Sequence, residues 1–456
     1  MHFGELKNLQ VLNPFFVDRN SELITKHLVG LGGLNLHGRL SINDVQNILN
    51  PLDALEANMK DKHLALLELK WKSDYIPDDP RKEKDVLQNL QPSKHLEDLK
   101  IRNYNGTEFP SWVFDNSLSN LVSLNLKDCK YCLCLPSLGL LSSLKYLVII
   151  GLDGIVSIGA EFYGSNCSFA CLESLAFGNM KEWEEWECKT TSFPRLQELY
   201  MTECPKLKGT HLKKVVVSDE LRISENSMDT SPLETLHIHG GCDSLTIFRL
   251  DFFPKLRSLQ LTDCQNLRRI SQEYAHNHLM KLYIYDCPQF KSFLIPKPMQ
   301  ILFPSLSKLL ITNCPEVELF PDGGLPLNIK EMSLSCLKLI TSLRENLDPN
   351  TCLERLSIED LDVECFPDEV LLPRSLTCLQ ISSCPNLKKM HYKGLCHLSS
   401  LILYDCPSLE CLPAEGLPKS ISSLSIYGCP LLKERCRNSD GEDWEKIAHI
   451  QKLHVL

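Results

Sequence analysis

The 456-residue chain has no run of 18 apolar residues, and its opening MHFGELKNLQ lacks an apolar stretch of signal-peptide length. A soluble intracellular protein is expected, cytoplasmic or nuclear, with no integral membrane segment. There is no excess of positive charge either. The 48 Lys and Arg against 58 Asp and Glu leave a formal charge of −10, unlike the basic balance of nucleic-acid binders. Catalytic signatures are also missing: there is no GxxxxGK[ST] phosphate loop, no HExxH, no GxSxG and no kinase-like series. Neither an enzyme nor a bound cofactor is expected.

What the chain does contain is repetition. The phrase LxxLxIxxC, with any aliphatic residue at its first three anchors, starts at Leu96, Leu121, Leu144, Leu172, Leu196, Leu233, Leu256, Leu279, Leu306, Ile329, Leu353, Leu376, Leu398 and Ile421. Successive starts lie 22 to 28 residues apart, except for one step of 37 between Leu196 and Leu233. That is the leucine-rich-repeat period of roughly 20–29 residues. A degraded rung is expected inside the long step, around Leu221 and Ile223, with weaker rungs at GRLSIND (38–44) and HLALLELKW (63–71) and a further one at LKNLQVL.

The expected fold is an α/β solenoid of about 17 rungs, a leucine-rich-repeat horseshoe with a parallel β-sheet on its concave face and loops or short helices on its convex face. Residues 1–95 read as irregular N-terminal repeats, 96–429 as regular repeats and 430–456 as a C-terminal cap. The charged insertion PDDPRKEKD (77–85) reads as a surface loop leading into a short helix at KDVLQNL.

Of the 21 cysteines, Cys129, Cys204, Cys264, Cys287, Cys314, Cys384, Cys406 and Cys429 fill the last repeat position, as a structural ladder. A buried Cys there acts as a small hydrophobe with a weak S–H donor for the turn. Proline after it cannot extend a strand ladder, so Cys-Pro reads as the stop that ends each strand. Zinc at CKYCLC (Cys129, Cys132, Cys134) is the competing reading, but no second CxxC or HxxxH stands nearby. No metal is expected, and the rung spacing shows no paired pattern that would imply disulfides.

Strand alternation turns the aliphatic anchors inward and leaves the positions between them exposed on the concave sheet. With strands about 4.8 Å apart, the exposed arc is on the order of 80 Å long, enough for a folded partner. Early rungs expose Glu68, Lys70, Lys100, Arg102, Asn125 and Lys127. Later ones expose Tyr200, His237, His239, Gln260, Tyr283, Tyr285, Tyr404 and Tyr427. Tyr offers a large amphipathic contact area at low entropy cost, which marks these columns as candidate protein-binding positions. The plainer reading is that Tyr suits an exposed strand and that the basic group is a solvated face. EWEEWEC (182–188) is either an acidic, aromatic docking patch or a pair of Trp residues packing a convex loop.

Three phrases are more specific than the repeat: VLQNLQPSKHLEDLKIRNYNGTEFPSWVFD (86–115), CLPSLGLLSSLKYLVIIGLDGIVSIGAEFYG (134–164) and CPLLKERCRNSDGEDWEKIAHI (429–450). They resemble the leucine-rich-repeat region of plant intracellular nucleotide-binding disease resistance proteins of the coiled-coil class. The resemblance implies repeats that follow a coiled coil and an ATP/ADP switch domain, restrain the switch, and detect pathogen effectors or effector-modified host proteins. It further implies that early rungs, including Lys100, Arg102 and Lys127, contact the switch domain while the later concave face recognises the ligand. Two departures stand out. The sequence begins within the repeats, as a fragment or truncated product would, and Glu445 stands where the family often has proline after the Trp. A stand-alone adaptor in ubiquitin ligation would need an F-box-like segment. A receptor ectodomain would need a signal peptide and LxGxIP phrases, its only support being the sequons Asn105-Gly106-Thr107 and Asn166-Cys167-Ser168.

Overall fold

The computed structural model describes residues 12, 14–164, 168–187, 192–208, 233–321, 324–346, 351–367, 372–373, 375–391, 393, 397–437 and 440–456. The rung expected around Leu221 and Ile223 lies outside these residues, as do LKNLQVL apart from Leu12 and the acceptor Asn166. The chain packs as two compact units, Met1–Leu245 and Thr246–Leu456.

In the first unit, strands Phe15–Phe16, His37–Asn43, His63–Lys70, Asp98–Arg102, Ser123–Lys127, Tyr146–Ile150, Ser174–Gly178, Glu198–Cys204 and Thr235–Gly241 pair in chain order, all parallel. In the second unit the order is Ser258–Thr262, Lys281–Tyr285, Lys308–Thr312, Glu331–Leu334, Arg355–Glu359, Cys378–Ser382, Ser400–Tyr404, Ser423–Tyr427 and Lys452–Val455, again all parallel. Consecutive strands side by side in one parallel ladder, joined by loops and short helices, make the fold a leucine-rich-repeat solenoid. Each strand with a predicted first anchor starts two residues after it, from Asp98 after Leu96 to Ser423 after Ile421. Two strands of the ladder were not expected: Phe15–Phe16, and Lys452–Val455, which pairs in register with Ser423–Ile426. Nor were the short parallel pairings outside it, Ser157–Ile158 with Glu185–Trp186, and Ile247–Arg249 with Arg269–Ser271 and Ser292–Leu294, where the sequence predicts loops or short helices.

The rung explains its own repetition. In SLQLT, Leu259 and Leu261 are fully buried and Gln260 is half-buried, and the alternation recurs in rung after rung. Burying each such anchor contributes roughly 1.5–3 kcal/mol.

The strand end corrects the sequence reading. The residue before the ladder position is left-handed in rung after rung: Asn103, Asp128, Gly151, Asn179 and Glu203 in the first unit, and Asp263, Asp286, Asn313, Asp360, Ser383, Asp405 and Gly428 in the second. Asp, Asn and Gly tolerate that backbone best, and the strand stops there, one residue ahead of the ladder position, except at Glu203, where the strand runs on to Cys204. Proline instead forms the corner that follows. The N–H of Leu207, Phe290, Val317, Leu387 and Leu409 donates back to the Cys carbonyl three residues earlier, which leaves Pro at the second turn position, where its fixed φ is favoured.

The ladder thiols close the turn from inside. Each of the eight donates to the carbonyl two residues back, from 3.1 Å at Cys287 to 3.6 Å at Cys129. Several also reach a carbonyl one rung earlier, as Cys287 does with Leu261 at 3.7 Å. Burial pushes the Cys129 and Cys204 thiols up to about 12, so they stay protonated donors.

The charged insertion also differs from expectation. The helix spans Pro80–Asn89, so all of PRKEKD is helical; Asp79 caps it by accepting from Arg81 N–H, and proline stands at its first turn. Glu83 on this helix is buried and accepts from Trp71 Nε1 at 2.5 Å, which pins the insertion to the ladder. Burial raises the Glu83 carboxyl above its usual range.

Both ends of the chain hold buried charges. Lys62 donates to the carbonyls of Leu31 (2.7 Å) and Leu34 (2.9 Å) and more weakly to that of Gly32 (3.4 Å), at the C-terminal turn of helix Ser21–Gly32 and just beyond it. Near the other end, the fully buried Asp443 carboxylate accepts from Leu412 N–H (3.0 Å) and pairs with Arg435 (3.2 Å) and Lys446 (2.8 Å). Burial opposes its ionisation, but these partners outweigh it and hold its pKa below the usual carboxylate range.

Candidate binding surface

The outward positions of each ladder form columns, two of which hold the predicted residues. In the first unit they run Ser41–Glu68–Lys100–Asn125–Val148–Ala176–Tyr200–His237 and Asn43–Lys70–Arg102–Lys127–Ile150–Gly178–Thr202–His239. Lys70, Arg102 and Lys127 are thus direct neighbours. Their charge is partly spent within the face: Arg102 pairs with Glu68 at 2.8 Å and Lys100 with Asp98 at 3.6 Å. Lys127 has no ion pair among the described residues. Together with Phe16, Lys72 and Asp128, the Lys70–Arg102–Lys127 row lines a cleft of about 580 Å³ that the sequence reading missed, because Phe16 lies on an unrecognised rung.

Farther along the same unit, Tyr200 and His237 meet edge to face, ring centroids 4.9 Å apart. Burial lowers the His237 pKa and raises that of the Tyr200 phenol, so both are neutral near pH 7. His239 is exposed.

In the second unit Tyr283 and Tyr285 stack on one strand, centroids 6.1 Å apart, while Tyr404 and Tyr427 sit on adjacent strands, 6.5 Å apart. Tyr404 is 53% exposed and the other three are half-buried, so each keeps one part packed and another open. Burial pushes the Tyr285 phenol up to about 12, which keeps it a neutral donor. The face therefore carries two aromatic stations. Gln260 is half-buried beside Tyr283.

The remaining candidate sites prove structural. Trp183 and Trp186 are fully buried among Phe177 and Phe193, and Trp186 Nε1 donates to Tyr163 Oη at 2.8 Å, so EWEEWEC packs its rings inward. At CKYCLC, Cys132 donates to the Gly106 carbonyl at 3.3 Å. Among the described residues no group of three or more His, Cys, Asp or Glu is arranged to hold a metal ion. The sequon residue Asn105 is 5% exposed and donates to the Tyr75 carbonyl at 3.1 Å, leaving no free amide for a glycan. Among the described residues no helix is long and apolar enough to cross a membrane.

Parts of the chain are similar to known proteins. The R13L1/DRL21 leucine-rich-repeat family matches residues 28–152. Disease resistance RPP13-like protein 1 of Arabidopsis thaliana is 34% identical over 320 residues, covering 62% of this chain and 30% of its own length. Disease resistance protein RGA2 of Solanum bulbocastanum is 29% identical over 265 residues, covering 56% of this chain and 27% of its own. The chain thus spans less than a third of either relative. A crystal structure of a TLR13–ssRNA13 complex aligns with 95% of this chain and 68% of that one, at a TM-score of 0.43 and 16% identity. Repeat sequence and ladder make the chain a leucine-rich-repeat solenoid, and over part of its length it is similar to plant disease resistance proteins.

Proposed function

We propose that the chain is the protein-binding sensor region of a plant immune receptor. It works in the cytoplasm or nucleus, without catalysis or cofactor, to recognise a pathogen effector or a modified host protein. In this reading the basic columns at Lys100, Arg102 and Lys127 hold a nucleotide-binding switch domain in its resting state, and the Tyr-bearing positions meet the ligand. The observation that carries the reading is the pair of aromatic stations left open on a sheet whose anchors are fully buried, since open tyrosines on a rigid support are suited to protein contact. The charged end and the Tyr-rich end give two chemically different surfaces.

Two measurements test it. Charge reversal at Lys100, Arg102 and Lys127 weakens co-precipitation with the nucleotide-binding domain of a related resistance protein supplied in trans; undiminished capture refutes the restraint role. Changing Tyr283 and Tyr285 to Ala leaves soluble, folded protein and lowers effector-triggered cell death in leaves; loss of soluble protein would assign both rings to the core. An adaptor in ubiquitin ligation is the second reading, and co-precipitation of ligase subunits would favour it.

A further inference from the structure

Between Tyr285 and Tyr404 the two columns that hold the tyrosines carry Leu310, Ile402, short polar side chains and one charged group, Glu359, while the column at the strand starts carries the Lys308–Glu331 ion pair and Arg355. Glu359 is half-buried and has no ion pair among the described residues; its Oε1 accepts only weakly, from Ser333 Oγ at 3.3 Å and Ser357 Oγ at 3.5 Å. A carboxylate held on a sheet floor by hydroxyls gains more from a cation than a freely solvated one does. Its position is symmetric: the Tyr285 strand is three rungs to one side and the Tyr427 strand three rungs to the other, about 14 Å along the ladder in each direction.

We infer that this face takes an extended peptide segment of a protein partner, with a Lys or Arg against Glu359 and an apolar or aromatic side chain on each tyrosine pair. An extended chain covers 14 Å in about four residues, so the three anchoring side chains fall at every fourth position and project to the same side. Apart from Leu310 and Ile402 beside the stations, the floor between them is Ser, Thr and Gln, which lets the backbone approach. Charge complementarity selects a basic centre. The inference rests on the tyrosine face being the ligand face, and adds the chemistry and spacing of what it binds.

The test uses the full chain and labelled synthetic peptides of about nine residues, with Phe at both ends, Ser between, and Arg or Glu at the centre. By fluorescence anisotropy the Arg peptide binds at least about tenfold more tightly than the Glu peptide, and Glu359→Gln removes the difference. Equal binding of the two peptides by the parent overturns the basic centre; if Tyr283→Ala with Tyr404→Ala then abolishes binding, the tyrosine face itself stands. Binding that survives the tyrosine changes overturns both readings. No binding of the Arg peptide, or self-association of the chain through this face in sedimentation, overturns the inference and leaves the tyrosine face to its own cell-death test. Unchanged circular dichroism of each variant excludes misfolding as the cause.

Discussion

Lys62 is 2% exposed, and its ammonium is held by backbone carbonyls rather than by a carboxylate. Two hydrogen bonds from a charged donor contribute roughly 1.5–3 kcal/mol each. Against them stands the cost of burial, which lowers its pKa from 10.5 to about 8, a difference of about 3 kcal/mol. The opposing effects nearly balance at pH 7. Lys62→Met keeps the stem but removes the ammonium from the Leu34 carbonyl and from the Leu31 carbonyl, which still accepts from Leu34 N–H, and should cost about 1–2 kcal/mol. The pH dependence is more diagnostic. Because the folded pKa lies below the unfolded one, the unfolded state binds more protons between pH 8 and 10.5, and the parent gains stability as pH rises through that window. Methionine does not titrate, so the gap between parent and variant should widen by about 2 kcal/mol from pH 7 to pH 9.5. Urea unfolding, followed by circular dichroism and by fluorescence of the buried Trp71 and Trp112, measures it. A gap that shrinks as pH rises would mean the carbonyls favour the ammonium over water, and the burial reasoning would fail.

Asp443→Asn keeps an acceptor for Leu412 N–H but breaks both ion pairs, and should cost about 3 kcal/mol at pH 7. Since the folded Asp443 pKa is depressed, that contribution fades as pH falls below the usual carboxylate range, and the melting difference between parent and variant should narrow at acid pH. A difference that persists undiminished would contradict the ion-pair account. At the strand end Asp286→Val should cost about 1–2 kcal/mol and Asp286→Gly far less, because the left-handed φ of 50° is the constraint; equal losses by denaturant midpoint would refute it. With a thiol-reactive label, exposed Cys134 and Cys352 should react quickly and the ladder thiols only after unfolding; fast labelling of Cys287 or Cys406 in the folded chain, read by peptide mass spectrometry, would show an open ladder.

The rungs were legible because each anchor is local: Leu-x-x-Leu-x-Ile states its own strand and its own buried face. The left-handed turn was equally readable, in the Asp of TDC at 262–264 and of YDC at 285–287, but the following proline drew the attribution one residue too far. The helix over Pro80–Asn89 was misplaced because its charges read as loop, although Asp79-Pro80 carries a helix start. Lys62 and Asp443 could not be read at all, since their partners lie up to 31 residues away and become neighbours only when the rungs stack. Glu359 escaped notice likewise. In sequence it is one acid among 58, and only the register isolates it between tyrosine pairs.

The left-handed residue also has a collective effect. Its N–H donates to a carbonyl on the next rung, from Asn103 to Lys127, Asp128 to Ile150, Gly151 to Gly178 and Asn179 to Thr202. The intervening peptide groups of successive rungs therefore point the same way along the stack, so their dipoles add head to tail, each polarising the next. A break in the middle of such a row disturbs the dipoles on both sides of it, whereas a break at its end disturbs one. Electrostatic continuity thus makes the interior rungs of a unit the least tolerant of a lost strand-end hydrogen bond, whatever side chains they show to a partner.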